Sequence, residues 1–101
     1  MAKLKIRYKS GDEEVHEITE RITTLGRTPA NTIQLKDSSA SRKHCMIKIE
    51  ADSFLLRDLD SANGVTVNGE RIKDHWLTDG DRIQIGTTVM KFLAAEARET
   101  F

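Results

Sequence analysis

Polar residues with the chemistry of an anion-binding site are concentrated in three short segments of the chain. Residues 26–28 read Gly-Arg-Thr and follow a predicted strand, residues 41–44 read Ser-Arg-Lys-His and precede another, and residues 61–64 read Ser-Ala-Asn-Gly between two more. A phosphate monoester dianion has three terminal oxygens, which match bidentate arginine, hydroxyl and backbone N–H donors. The three segments therefore predict a site for a phosphate-like anion, provided that the fold brings them together.

The rest of the chain predicts the strands that would position these segments. Apolar patterning indicates strands over residues 3–9, 15–19, 22–25, 32–35, 45–50, 54–59, 65–67, 82–85 and 88–93. Turn-forming residues separate these strands at intervals of about ten residues, which is typical of an all-β sandwich. The loops of a sandwich gather at its two ends, so segments that are distant in sequence can converge there.

Two hairpins are predicted from local patterns. Basic residues alternate with apolar ones over residues 3–9, and five acids lie within residues 12–20. Pairing of these strands would place opposite charges across from one another on a solvated sheet face, each pair contributing a few tenths of a kcal/mol. A smaller hairpin is predicted over residues 65–72, because Asn68 and Gly69 tolerate the positive φ angles of a tight turn.

The composition restricts the classes of protein to which the chain can belong. Its 101 residues fit one domain, and 16 basic residues balance 16 acidic ones to give a net charge of zero. Domains dedicated to nucleic acids usually carry a basic excess, so no nucleic-acid partner is expected. No apolar run approaches the roughly 20 residues of a membrane span, and the N-terminus does not resemble a signal peptide, so no membrane partner is expected.

Cysteine and histidine usage predicts neither a disulfide nor a metal site. The single cysteine, Cys45, has no partner for an internal disulfide, and a reducing, cytoplasmic location is the simplest interpretation. Together with Cys45, the histidines (His16, His44 and His75) match no zinc-ligand spacing, so neither a metal nor a cofactor is expected. Residues 1–94 are expected to form the domain, and residues 95–101 a short helix-prone tail or the start of a linker.

Five segments, taken in order and with their spacing, resemble the forkhead-associated (FHA) domain family. They are residues 26–27 (Gly-Arg), 33–35 (Ile-Gln-Leu), 41–44 (Ser-Arg-Lys-His), 58–69 (Asp-Leu-Asp-Ser-Ala-Asn-Gly-Val-Thr-Val-Asn-Gly) and 77–86 (Leu-Thr-Asp-Gly-Asp-Arg-Ile-Gln-Ile-Gly). The resemblance covers about residues 2–93. It implies an all-β, eleven-stranded sandwich of two twisted, mainly antiparallel sheets. Loops at one end of that sandwich would bind phosphothreonine peptides and mediate phosphorylation-dependent signalling interactions.

The resemblance also implies a role for individual residues. Arg27 would be the main phosphate-binding guanidinium, Ser41 would donate its hydroxyl to a phosphate oxygen, and Arg42 would add a further phosphate contact. Asn63 would hydrogen-bond the main chain of the bound peptide. The implied partner is a phosphothreonine-containing protein, such as a substrate of a Ser/Thr kinase.

Three further positions match the FHA pattern, where their roles are architectural, and two positions depart from that pattern. The glycines Gly26 and Gly64 would allow turns, and His44 would brace the loops. The family often carries Thr or Ser where this chain has Ala62, and Thr where it has Val65. Ser39 and Ala62 are candidates for influencing peptide selectivity.

Alternative interpretations remain for these residues. Ala62 also fits a phospho-independent interaction module of the same fold. Ser41 and His44 with Asp58 could suggest a hydrolase triad, but the Gly-X-Ser-X-Gly segment of such enzymes is missing, so no enzymatic activity is expected. Arg27 alone could form a surface salt bridge. The basic run 42–44 could suggest a nucleic-acid patch, but three residues without neighbouring aromatic side chains give little support for one. Trp76 is interpreted as a packing residue.

Overall fold

The computed structural model of the protein describes residues 2–94, in which the chain forms eleven β-strands and no helix. The strands are β1 (Ala2–Arg7), β2 (Glu13–Ile18), β3 (Ile22–Gly26), β4 (Ile33–Gln34), β5 (Cys45–Glu50), β6 (Ser53–Asp58), β7 (Val65–Val67), β8 (Glu70–Ile72), β9 (Asp74–Trp76), β10 (Arg82–Ile85) and β11 (Thr88–Leu93). Within this described range, no helix has the length and apolar character needed to cross a bilayer. The predicted helix-prone tail lies outside the described residues.

The strands form two sheets that pack as a sandwich. One sheet has the order β2-β1-β11-β10-β7-β8 and the other β4-β3-β5-β6-β9. The pairing of β3 with β4 is parallel, and the other strand pairs are antiparallel. The predicted eleven-stranded, mainly antiparallel sandwich is confirmed.

The core lies between the sheets and follows from the alternation of side chains along each strand. In β1 every second residue is buried, and β10 repeats the pattern. The first sheet contributes Leu4, Ile6, Ile83, Ile85, Met90 and Phe92 to the core, and the second contributes Leu25, Ile33, Cys45, Ile47 and Leu56. This packing fixes the strand ends and therefore the loops that extend from them.

The two hairpins predicted from the sequence are present. In the β1–β2 pair, Lys3 lies opposite Glu17 and Arg7 opposite Glu13, and the Arg7 guanidinium forms an ion pair with Glu13 at 2.9 Å. In the β7–β8 turn, Asn68 and Gly69 have φ values of 52° and 90°. Positive φ at both central residues is the geometry of a type I′ turn, one of the two turn types favoured in two-residue hairpins.

Two details differ from the sequence-based expectation. Strand β9 was not predicted, because its sequence Asp-His-Trp shows no apolar alternation; it forms by pairing with β6. Trp76, interpreted as a packing residue, does not belong to the core between the sheets, since the residue is 51% exposed. It lies across from Leu55 on the outer face of the second sheet.

A buried carboxylate, Asp81, joins the turn before β10 to two neighbouring segments. It accepts hydrogen bonds from the backbone N–H and hydroxyl of Thr78, at 2.9 and 3.1 Å, and from Asn68 Nδ2 at 3.0 Å. His75 Nε2 lies 3.0 Å from Asp81 Oδ2, the oxygen that also accepts from the Thr78 backbone N–H. Burial raises the pKa of the Asp81 carboxyl, but the hydrogen bonds from Thr78, Asn68 and His75 outweigh it and hold the pKa below its ordinary value of 3.8.

Replacement of Asp81 by Ala should destabilise the fold in a pH-dependent way. A lowered folded-state pKa means that the ionised carboxylate stabilises the fold fully above pH 3.8 and progressively less as the pH falls below that value. We expect Asp81→Ala to lower the free energy of unfolding by about 2 kcal/mol at pH 7. Measured by urea unfolding, the difference in free energy of unfolding between the wild type and Asp81→Ala should narrow as the pH falls toward about 2.5. The exposed Asp12→Ala is the control, and a constant difference across this range would contradict the expectation.

Candidate functional site

The three loops that carry the predicted anion-binding residues meet at one end of the sandwich. They are the β3–β4 loop (residues 27–32), the β4–β5 loop (35–44) and the β6–β7 loop (59–64). The backbone N–H of Arg27 donates to the carbonyl of Ser41 at 2.9 Å, and the backbone N–H of Ala62 donates to the Ser41 hydroxyl at 3.0 Å. Ser41 therefore contacts both of the other loops.

His44 connects the β4–β5 and β6–β7 loops through both nitrogens of its ring. The side chain is fully buried, with 0% exposure. The backbone N–H of Ser41 donates to Nδ1 at 2.9 Å, and Nε2 lies 2.9 Å from the carbonyl oxygen of Gly64. Since an N–H can only donate and a carbonyl can only accept, the ring proton lies on Nε2. The predicted bracing role matches this arrangement.

The same contacts distinguish His44 from the base of a hydrolase triad. A triad histidine holds the hydroxyl of its serine through a ring nitrogen. Here both ring nitrogens bond backbone groups, while the Ser41 hydroxyl contacts the backbone of Ala62. The geometry is that of a structural histidine.

The Ser41 hydroxyl keeps its proton available for a hydrogen bond to a ligand. A hydroxyl has one proton and can accept through its oxygen at the same time. In Ser41 the oxygen accepts from Ala62, which orients the side chain and leaves the proton for another acceptor.

Arg27 and Arg42 supply positive charge that no carboxylate neutralises within residues 2–94. Arg27 is exposed, and its Nε donates to the carbonyl of Ala40 at 2.9 Å. That bond fixes the base of the guanidinium, and the terminal Nη groups of this exposed residue have no acceptor within residues 2–94. Arg42 is also exposed, and its backbone carbonyl accepts from Asn31.

Asn63 is held next to these groups by one half of its carboxamide. Its Nδ2 donates to the carbonyl of Ser39 at 2.8 Å, which links the β6–β7 loop to the β4–β5 loop. The residue is exposed, and its Oδ1 has no hydrogen-bond donor among residues 2–94. That oxygen can accept from the N–H of an extended peptide.

The remaining predicted positions lie at the same end of the molecule. The Ser39 side chain lies beside Gly86 of the β10–β11 turn, and its backbone N–H donates to Asp37 at 2.8 Å. Ala62 is exposed at the tip of the β6–β7 loop. All of the predicted site residues are therefore brought together by the fold.

The two motif glycines act differently from one another. Gly64 has a φ of +80°, so the expected turn conformation is present. Gly26 is not among the residues with positive φ, and the reason for glycine there is space: a Cβ would overlap the carbonyl oxygen of Arg42 and the amide of Asn31. The expectation that Gly26 allows a turn is therefore wrong, and its role is close approach of two backbones.

Sequence reasoning missed two polar residues that hold the loops. Asn31 is buried, and its Nδ2 donates to the carbonyls of Thr28 and Arg42 at 2.9 and 2.7 Å. Asp37 accepts from Ser39 and from the Thr88 hydroxyl at 2.7 Å, which ties the β4–β5 loop to β11. Burial raises the pKa of the Asp37 carboxyl, but hydrogen bonds from Thr88, Ser39 and Thr87 outweigh it and lower the pKa.

The histidines and the cysteine do not form a metal centre. His16 bonds Glu14, His75 bonds Asp81, and His44 bonds the loop backbones. Burial raises the pKa of the Cys45 thiol. Residues 2–94 contain no group of three or more potential metal-ligating His, Cys, Asp or Glu side chains.

Comparison with known proteins identifies the family. The sequence profile of the FHA domain matches residues 23–86, which include all three loops of the site. The chain belongs to the FHA domain family.

Similar proteins share both the sequence and the fold. The chain is 37% identical over 76 residues to the glycogen accumulation regulator GarA of Mycobacterium tuberculosis, covering 75% of this chain and 47% of GarA. It is 41% identical over 75 residues to the oxoglutarate dehydrogenase inhibitor of Corynebacterium efficiens, covering 74% of this chain and 53% of that protein. The chain therefore spans about half the length of these relatives.

A solved structure confirms the architecture. A chain from a study of phosphothreonine-dependent FHA domain interactions superimposes with a TM-score of 0.84 at 28% identity. The superposition covers 93% of this chain and 98% of that one.

Removal of the His44 ring should loosen the loops. His44→Ala leaves the Ser41 N–H and the Gly64 carbonyl without their partner and opens a cavity, so we expect a loss of about 3 kcal/mol in urea unfolding. Hydrogen exchange of the Ser41 amide should accelerate more than global destabilisation alone explains. His16 is only partly buried, so His16→Ala is the matched control and should change stability by less than about 1 kcal/mol. If the Ser41 amide of His44→Ala exchanges no faster than the overall loss of stability explains, the bracing role is contradicted.

Proposed function

We propose that this domain binds phosphothreonine-containing segments of partner proteins and does so without catalysis. The observation that carries the proposal is the grouping of three exposed or partly exposed polar side chains at one end of the sandwich. Within residues 2–94, the Nη groups of Arg27 and the Oδ1 of Asn63 have no hydrogen-bond partner, and the Ser41 hydroxyl has a proton left to donate. The similarity to FHA domains studied for phosphothreonine-dependent interactions supports the same function.

In this proposal each group has a distinct role. The terminal Nη groups of Arg27 bind the phosphate oxygens, with Arg42 adding charge and Ser41 donating a hydrogen bond. Arginine suits this task because its planar fork matches two oxygens at once. Asn63 accepts from the peptide backbone and fixes the register of the peptide.

The expected affinity follows from the number of contacts. A charge-assisted hydrogen bond contributes roughly 1.5–3 kcal/mol. Three or four such bonds, less the cost of ordering the peptide, give about −8 kcal/mol, which corresponds to micromolar binding. The loops are already held by hydrogen bonds to one another, which reduces the ordering cost on the protein side.

The partner is proposed to be a substrate of a Ser/Thr kinase, and the domain a regulatory module. The relatives carry the names of a glycogen accumulation regulator and an oxoglutarate dehydrogenase inhibitor, which describe regulation. A cytoplasmic location is proposed with it, since phosphorylated signalling partners are found there and Cys45 is a free thiol.

Replacement of Arg27 should remove most of the binding. A degenerate peptide library with one fixed phosphothreonine selects a sequence, and calorimetry then compares its phosphothreonine, phosphoserine and Thr forms. We expect micromolar binding of the phosphothreonine form, negligible binding of the Thr form, and at least a 100-fold loss, about 2.7 kcal/mol, in Arg27→Gln. Arg21→Gln removes an exposed arginine from the β2–β3 turn and should bind normally. Equal binding of all three peptides, or normal binding by Arg27→Gln, would contradict the proposal.

The second candidate function is phospho-independent interaction through the same loops. Ala62 favours it, because this exposed loop position lacks the hydroxyl that many family members place near the phosphothreonine. Capture of a partner in equal amounts from untreated and phosphatase-treated lysate would favour this second function over the first.

A further inference from the structure

A row of three positive charges crosses the outer face of the six-stranded sheet. Lys5 of β1 lies directly opposite Lys91 of β11, and Lys91 lies directly opposite Arg82 of β10. All three side chains are exposed, because their strands bury the alternate positions. We call Lys5, Lys91 and Arg82 the basic row.

The basic row is unfavourable for the isolated domain. Side chains directly opposite on antiparallel strands have Cβ atoms about 4.5–5.5 Å apart, and like charges at that separation destabilise the sheet. No residue of the row forms an ion pair with a carboxylate within residues 2–94. Arg7, the next cation along β1, is paired with Glu13. The row therefore has no ion-pair partner in this part of the chain, and of the exposed carboxylates on the neighbouring strand β2, Glu13 is already paired with Arg7 and Glu17 lies opposite Lys3.

Three surface depressions with shared lining residues lie between the candidate phosphothreonine site and the basic row. The first, near the site, is lined by Asn63, Gly86 and Gln84. The second shares Thr66 and Gln84 with the first and includes Arg82. The third shares Arg82 with the second, has a volume of about 380 Å³, and is lined by the basic row and by the Arg7–Glu13 ion pair. We call the path through these three depressions the outer groove. A peptide held at Asn63 and extended along this path would reach Arg82 through residues that adjoining depressions share.

We propose that the outer groove binds an acidic segment of the same partner chain that carries the phosphothreonine. Arg82 precedes Gly86 by four residues, roughly 13 Å at the rise of a β-strand. An extended peptide spans that distance in about four residues. The proposal rests on the proposed function and adds to it a preference for Asp or Glu about four to six positions from the phosphothreonine.

The charges around the basic row favour a short acidic peptide over an extended polyanion. On the neighbouring edge strand β2, Glu13 and Glu17 are exposed next to the row. These carboxylates border the positive charge on one side, and the chain as a whole has no net charge. A nucleic acid duplex or an anionic membrane would meet the acidic edge as well as the row, whereas a single extended strand can follow the groove alone.

The test uses three peptides. The neutral peptide carries a phosphothreonine between Gly and Ser flanks. One acidic derivative has Glu at the fourth to sixth positions before the phosphothreonine, and the other has Glu at the fourth to sixth positions after it. At about 50 mM salt, we expect one acidic derivative to bind about tenfold more tightly than the neutral peptide, the gain of a few weak ion pairs. At about 300 mM salt the gain should shrink, because exposed charges are screened. At each salt concentration, the affinity of the neutral peptide for the wild type is the reference against which both acidic derivatives are compared.

The matched variants assign the gain to the basic row. In Lys5→Gln/Arg82→Gln/Lys91→Gln the gain should fall below twofold, while the neutral phosphothreonine peptide binds as it does to the wild type. Arg21→Gln should keep the full gain. The melting temperature of the triple variant should be equal to or above that of the wild type, since like-charge repulsion is removed.

Each outcome separates the two proposals. If the neutral phosphothreonine peptide binds but neither acidic flank improves binding, the proposal of the outer groove is overturned and the proposed function stands. If the neutral peptide does not bind, the proposed function fails and the outer groove proposal with it. Row-dependent binding of a DNA duplex or of phosphatidylserine vesicles, without an acidic-flank gain, would also overturn the proposal.

Discussion

The hydrogen bonds of the buried His44 ring are the constraint on which the rest of the site depends. Its Nδ1 accepts from the Ser41 backbone and its Nε2 donates to the Gly64 carbonyl, so one neutral side chain sets the separation of two loops. Both loops carry site residues, since Ser41 lies on one and Asn63 on the other. Replacement of either hydrogen bond by water would require opening the core, because His44 is fully buried. The packing between the sheets therefore holds the His44 ring, and the ring in turn positions the loops that carry Ser41 and Asn63.

Around this ring, backbone contacts hold the remaining donors in place before any ligand binds. Gly26 lets the β3 end approach the Arg42 carbonyl, where Asn31 also bonds, and Asn63 ties its loop to Ser39. A site assembled in this way loses little conformational entropy on binding, which favours affinity. The charges also favour an anion at the loops: although the chain has no net charge, Arg27 and Arg42 form no ion pair with a carboxylate within residues 2–94, whereas Arg7 and Arg57 on the sheets are paired with nearby acids.

Most of the fold could be predicted from the sequence, because alternation along β1 or β10 directly reports which face is buried. Strand β9 could not, since three residues without alternation form a strand only through pairing with β6. The loop residues were recognised as a set from their order and spacing. Asn31 and Asp37 were missed for a physical reason: their side chains bond groups 11 and 51 residues away, respectively, and no local pattern encodes such contacts.

The most direct test of the account is a titration of the ¹⁵N-labelled domain with phosphothreonine, phosphoserine and Thr forms of one peptide, followed by NMR. If the braced loops form a site prepared for phosphate, the phosphothreonine form should shift the amides of residues 26–28, 39–44 and 61–64, together with the Nε resonance of Arg27. The resonances of the His44 ring should keep the pattern of a proton on Nε2 throughout. Equal shifts with the Thr form, or shifts confined to residues outside these loops, would contradict the account.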